Sequence, residues 1–384
     1  MSPITRSVLA SDLGNRYTTG SVGNRWYAGC QYYDTIEDTA IKLAKKLLHA
    51  KYVNVQAISG MVANLTVYYA LLKPGDTILT HQVKHSGHYS HVDSGMLSLF
   101  QVNAESIPFD ETNYSLDLEK TKAKIRQIKP KVVLLGSTEF LFPAPIKELR
   151  SVCNQTGTKI LYDAAHVSGL IVGQTFQDPL TEGADLLSMS TNKTLSAPDH
   201  GLVACNNPEF YQKQIEYAMV PMFTSNHHAH HVAGLAVTLA EFDQFGHEYA
   251  TQVIKNAKAL ARELYKQDVA VLCPHKDFTE SHTVLFDAKM NANNAVKLLE
   301  SCQIITNSFQ LPWNSESKPT GIRLGTNELT RLGTKEDEMK IMASFIASAL
   351  LKRQPTEKIK KKVSSFRKSY QEVNYCFDTT QLSN

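Results

Sequence analysis

Two short stretches carry residue types that could do covalent chemistry. "LYDAAH" (161–166) sets Asp163 at the end of an apolar run, with His166 three residues on. "SMSTNKTL" (188–195) ends another apolar run in Ser190 and Thr191, followed by Asn192 and Lys193. A lysine amine condenses reversibly with an aldehyde. A carboxylate can hold a proton on a pyridine nitrogen, and the resulting pyridinium draws electrons from a substrate carbon. "AISGM" (57–61) follows a strand-like run and opens a helix, so backbone N–H groups and the Ser59 hydroxyl could receive a phosphate. Any one of these residues alone would ordinarily be structural. Together, amine, carboxylate and phosphate cup describe a site for pyridoxal 5'-phosphate.

Such residues need a frame. "TIEDTAIKLAKKLLHA" (35–50) puts Ile36, Ala40, Leu43 and Leu47 on one helical face. "YVNVQAIS" (52–59) reads as a short buried strand and "GMVANLTVYYALL" (60–72) as the next helix. "PGDTILTH", "KVVLLGST", "KILYDAAH" and "ADLLSMST" supply further strands. Buried Val, Ile and Leu runs alternating with amphipathic helices indicate an α/β domain with a largely parallel sheet. Ligands gather outside the carboxyl ends of such strands, which is where Ser59, Gly60, His88, Thr138, Asp163, His166 and Lys193 fall. A long helical stretch from His231 to about Asp268 joins this body to a smaller α+β one, with a terminal helix from Lys335. The expected division is an arm over 1–22, a large domain over 23–242 and a small domain over 243–384.

The 384 residues carry a formal charge of +3, with 42% hydrophobic and 20% charged residues. This slight charge gives no reason to expect a nucleic-acid or membrane partner. The one dense basic run, "KIKKKVSSFRK" (358–368), reads as a solvated helix end. Six cysteines without a CxxC pair fit reduced thiols, and no apolar h-region opens the chain, so a cytoplasmic protein is expected.

The stretches "NRWYAGCQYYDTIED", "VNVQAISGMVAN", "HSGHYSH", "YDAAHVSGL", "TNKTL" and "TGIRLGTNELTRLG" resemble, in order and spacing, those of the serine hydroxymethyltransferase family. The resemblance spans almost the whole chain. It implies the pyridoxal-phosphate-dependent transferase fold of type I, similar to aspartate aminotransferase. It also implies roles. Lys193 matches the Schiff-base lysine, Asp163 the partner of the pyridine nitrogen, and His88 the imidazole stacked on the ring. His166 and Thr138 match positions near the phenolic oxygen; Ser59, Gly60 and Met61 the phosphate cup, with Ser190 beside it. Arg323 matches the arginine that grips the substrate carboxylate, and Tyr27, Thr19 and Asn192 fall at substrate positions. Tyr17 and Tyr27 match tyrosines that reach a partner's site, which implies a homodimer or a tetramer of dimers. Asn307 matches a position near the pterin.

Several positions depart from the family pattern. Asn192 stands where the family has histidine, and Thr19 where it has a proton-shuttling glutamate. A threonine hydroxyl cannot act as a general acid or base near pH 7 as a carboxylate can. "PDHG" (198–201) replaces an arginine and two glycines, and the glycine-rich phosphate loop has become "PMFTSNHHAHH", where Ser225 and Asn226 could donate instead. The family's segment bearing an active-site serine would lie before residue 1. Tetrahydrofolate is therefore a doubtful co-substrate. The chemistry expected first is aldol-type cleavage or formation of a Cα–Cβ bond, with His88 or His166 as base. Decarboxylation, oxygen-linked chemistry or transamination is the second reading, and a non-catalytic cofactor-binding module the third. New imidazoles at His200 and His227–His231 are candidates for the lost proton shuttle. No carboxylate or cysteine accompanies the histidine runs, and no metal is expected.

Overall fold

A computed structural model describes residues 1–315 and 317–379. Its centre is a seven-stranded sheet built from β1 (Tyr52–Asn54), β2 (Thr77–Thr80), β3 (Asn103–Ser106), β4 (Val132–Gly136), β5 (Lys159–Asp163), β6 (Leu186–Ser190) and β7 (Gly201–Cys205). The spatial order is β1-β7-β6-β5-β4-β2-β3. The run from β6 to β3 is parallel, and β7 is antiparallel to both of its neighbours. Strands β4, β6 and β7 are buried along their whole length, as a sheet covered on both faces requires.

The register aligns the chemistry. Asp163 pairs with Gly136 on one side and Ser188 on the other, so β4 and β5 end level with one another and β6 runs two residues further, to Ser190. Gly136 is needed there, because a Cβ would meet that of Asp163 at 2.8 Å. The strand at 52–59 stops early, at Asn54. The Asn54 side chain takes the Gln56 N–H at 2.9 Å, and the chain then turns to present Ser59 at the start of a helix.

A second sheet, antiparallel throughout, comprises β8 (Ala270–Val271), β9 (Thr283–Asp287), β10 (Asn307–Phe309) and β11 (Gly321–Gly325) in the order β8-β9-β11-β10. One 38-residue helix, Ala229–Lys266, serves both bodies. Its residues up to Val253 pack in the core of the large sheet, and those from Ala257 pack in the core of the small one. The expected division at 242/243 therefore falls inside this helix, ahead of the point where packing changes over. The terminal helix expected from Lys335 is two helices, Glu336–Leu350 and Thr356–Lys368. The second holds the basic run and buries only Ile359 and Val363. Among the described residues, no helix is long and apolar enough to cross a membrane, and the six cysteines form no disulfide.

Candidate active site

A cavity of about 290 Å³ opens at the carboxyl ends of β4, β5 and β6. Its lining includes Ser59, Gly60, Met61, His88, Thr138, Asp163, His166, Ser190, Asn192 and Lys193, so ten of the expected residues converge there. Helix Gly60–Leu71 points its N-terminus into the space, and Ser59 caps it by accepting the Val62 N–H at 3.2 Å. Gly60 packs so closely on Ser190 that a Cβ would lie 2.8 Å from the serine's.

Asp163 is the most firmly held group. Its Oδ2 lies 3.0 Å from His91 Nε2 and accepts from Asn64 Nδ2 at 2.8 Å, and its Oδ1 accepts the Ala165 N–H at 2.8 Å. Burial alone would push this carboxyl up, but His91, Asn64 and the backbone outweigh it and hold Asp163 well below the usual carboxylate range. His91 is held in turn by the Tyr68 hydroxyl, 2.6 Å from its Nδ1. No role for Asn64, His91 or Tyr68 was legible in sequence; the fold brings Asn64 and His91 to Asp163 and Tyr68 to His91.

Lys193 donates from Nζ to Ser190 Oγ at 3.2 Å, and that hydroxyl donates to Asn192 Oδ1 at 2.7 Å. Burial lowers the lysine from its ordinary value, with Arg323 adding to the effect and Asp163 and Asp199 opposing it. Burial also lowers His88 and, more strongly, His166, so both imidazoles are neutral near pH 7. His88 Nδ1 accepts the Ser90 N–H at 3.1 Å, which leaves the proton on Nε2. In that tautomer His88 presents a donor to the cavity.

Arg323 reaches across from β11. Its Nε donates to Asn307 Oδ1 at 3.0 Å, and Nη1 donates to the Thr138 carbonyl at 2.8 Å and lies 3.3 Å from Glu139 Oε1. Asn307, expected near a pterin, thus supports the arginine from the neighbouring strand. Glu139 is buried, and its Oε2 also accepts from Thr138 Oγ1. Desolvation raises its carboxyl above the ordinary value despite the opposing guanidinium. A glutamate inside the apolar run "VVLLGSTEFLF" was the available signal for this residue.

Six expected residues do not line this cavity: Tyr17, Thr19, Tyr27, Ser225, Asn226 and Arg323, the last of which bonds the lining residue Thr138. Tyr17 and Tyr27 pack against each other on the surface, ring centroids 5.5 Å apart and planes tilted by 57°. Thr19 is buried in the arm, its carbonyl accepting the Trp26 N–H at 2.9 Å. Asn226 accepts the Thr18 N–H at 2.7 Å and donates to the Arg16 carbonyl at 3.1 Å, so it fastens the arm within its own chain. The histidines expected to replace the shuttle are also elsewhere. His227 Nε2 pairs with the buried Glu37 at 2.7 Å, and His200 is fully buried with its Nε2 on the Val55 carbonyl at 2.7 Å. Neither these two nor His228, His230 and His231 line the cavity of their own chain. The physical reason is that β7 and the long helix place them behind the Lys193 loop.

An amine, an anchored carboxylate and a helix N-terminus at the ends of parallel strands fit pyridoxal phosphate, and with this topology they define a fold-type-I enzyme of that cofactor. A family model for serine hydroxymethyltransferase matches residues 2–346. Serine hydroxymethyltransferase of Methanopyrus kandleri is 45% identical over 381 residues, covering 98% of this chain and 89% of the relative. That of Methanocella arvoryzae is 44% identical over 382 residues (98% and 90%), and that of Nitrosopumilus maritimus 43% over 394 (98% and 89%). The chain belongs to the serine hydroxymethyltransferase family.

Proposed function

We propose that this enzyme uses pyridoxal phosphate to make or break the Cα–Cβ bond of a β-hydroxy-α-amino acid, with serine the first substrate to consider and tetrahydrofolate dispensable. The observation that carries the reading is the shared cavity of Lys193 and Asp163, the first lowered by burial and the second held ionised by His91 and Asn64. When bound, the cofactor supplies an aldehyde for the amine and an electron-withdrawing ring. Lys193 is the group to hold the aldehyde, and Ser190 Oγ orients its Nζ. Asp163 holds a proton on the ring nitrogen, while the N-terminus of helix Gly60–Leu71 and Ser59 receive the phosphate. His88, which lines the same cavity, would pack against the ring and has its Nε2 proton to offer there.

Arg323 orients the substrate carboxylate. Glu139 lies 3.3 Å from its Nη1, and burial raises that carboxyl above the ordinary value while the guanidinium opposes the shift. A carboxyl raised by burial can also give and take a proton near neutral pH. We assign Glu139 the proton at the substrate's β-oxygen, a duty that Thr19 cannot perform. Tyr17, Trp26, Tyr27 and Tyr32, each 49–75% exposed, form an aromatic surface suited to a second copy, which supports a homodimer whose arms complete each other's sites.

The deciding experiment is a substrate panel of serine with and without tetrahydrofolate, threonine, allo-threonine and phenylserine, with aldehyde and carbon dioxide followed separately. Aldehyde released without tetrahydrofolate is the expected result. Carbon dioxide in its place would move the assignment to decarboxylation.

A further inference from the structure

Behind the loop that leads from Lys193 to β7, His200 meets two imidazoles from about thirty residues further along the chain. His200 immediately precedes β7, His228 precedes the first turn of helix Ala229–Lys266, and His231 follows in that turn. One ring nitrogen from each lies within 4.8 Å of the other two. The rings of His228 and His231 are 5.0 Å apart, and those of His200 and His231 are 5.9 Å apart.

Two of the three are already set for ligation. His200 Nε2 sits 2.7 Å from the Val55 carbonyl, which can only accept, so Nε2 carries the proton and Nδ1 the lone pair. That Nδ1 is buried without a hydrogen-bond partner in a side chain of zero exposure. His231 Nδ1 sits 2.9 Å from the Asp199 carbonyl, so its lone pair is on Nε2. A backbone carbonyl on the second ring nitrogen is the usual support of a metal-bound histidine, because it fixes the tautomer and aims the lone pair. His228 is exposed and caps nothing with its side chain, so it is free to turn inward.

We propose that His200 Nδ1, His228 and His231 Nε2 form a binding site for a borderline divalent cation, of which zinc is the probe of choice. Neutral imidazoles suit this class of ion, whereas calcium and magnesium need oxygen ligands. A zinc–nitrogen bond of about 2.0–2.1 Å puts tetrahedral ligands roughly 3.3 Å apart, so the rings must draw in by about 1–1.5 Å, which rotation of His228 can provide. The fourth position is left to water. The bound ion would tie the Asp199–His200 edge of the cofactor cavity to the long helix, since His231 already grips Asp199 from that side. The positive end of the helix works against a cation, which favours moderate over very tight binding.

The test uses the tag-free holoenzyme, titrated with zinc chloride by calorimetry and assayed for retained metal after dialysis. Binding near one ion per chain is expected. It should weaken at least tenfold in each of His228→Asn and His231→Asn, both outside the hydrophobic cores, and in His200→Gln. His49→Asn, a histidine far from the cluster in the fold, should bind as the wild type does. Absence of stoichiometric binding by the wild type would overturn the proposal. So would binding that survives His228→Asn and His231→Asn unchanged, which would place the ion on the cofactor or a thiol.

Discussion

The floor of the cavity and its rim are built differently. The floor consists of Lys193, Asp163, His166, Ser59 and Gly60, all at strand ends or a helix start, with Asp163 locked by His91 and Asn64. The outer rim, beyond the cavity lining of this chain, draws on the arm, the loop before the long helix and the small sheet, which carry Thr19, Asn226 and Arg323. By the family resemblance Lys193, Asp163, Ser59 and Gly60 are kept on the floor and Thr19 and Asn226 are exchanged farther out, while Asn192 beside Lys193 and the retained Arg323 cross that division. A group fixed by a sheet register and a buried hydrogen-bond network cannot be replaced without leaving a buried charge or lone pair unsatisfied. A rim residue held by one or two bonds can be exchanged at far less cost, and with it the acceptor and the route of the proton. The lesson is that cofactor chemistry and substrate choice are carried by separable parts of this molecule.

That contrast breaks first at Lys193. Lys193→Gln should reduce turnover on the order of 10⁴-fold and should prevent borohydride from fixing the cofactor to the protein, as read by mass spectrometry. Retained labelling in this variant would mean that the amine lies elsewhere. Asp163→Asn should cost roughly 10²- to 10³-fold in turnover, the scale of removing one preorganised electrostatic partner. It should also change acid stability. Because the folded carboxyl is held below its unfolded value, its contribution is complete above the ordinary carboxylate range of about pH 4 and is lost as pH falls through the folded value. Denaturation of the cofactor-free protein between pH 6 and 3 should therefore show a shallower loss of stability in Asp163→Asn than in the wild type.

Glu139→Gln tests the rim. The amide is close in shape to the protonated acid, so folding should be kept while turnover drops about 10²-fold and the pH profile loses a limb. A profile of unchanged shape would return Glu139 to a merely supporting place beside Arg323. Thr19→Glu sharpens the comparison from the other direction. It should raise serine turnover with tetrahydrofolate by about tenfold, at the low end of general acid–base contributions, with little change in turnover without it. No gain would show that the exchange at 19 is not what separates this rim from the family's.

How far the site could be read in advance follows the same division. Lys193, Asp163, Ser59 and Gly60 were legible because each sits in a local pattern of apolar strand, small residue and functional group. His91 was visible only as part of a histidine run, and Asn64 and Tyr68 read as ordinary members of a helix; the Asn64–Asp163 contact spans 99 positions, and Tyr68 acts through His91. Glu139 left a trace in an apolar run. The histidines misled, because their number suggested a cavity role while their positions put them behind the loop. Thr19, Tyr17 and Tyr27 kept their family spacing but lie outside their own chain's cavity.

What the sequence determined by itself is the α/β class, the strand ends and the identity of the amine and carboxylate. Hydrophobic period and local turn chemistry are short-range properties, so a single chain displays them directly. Only the tertiary structure decided which groups hold Asp163, which ring nitrogen of His88 and His200 carries the proton, and that three imidazoles share one place. Those outcomes depend on hydrogen bonds and burial between segments distant along the chain, and side-chain charge and tautomer are set by such surroundings rather than by neighbours in sequence.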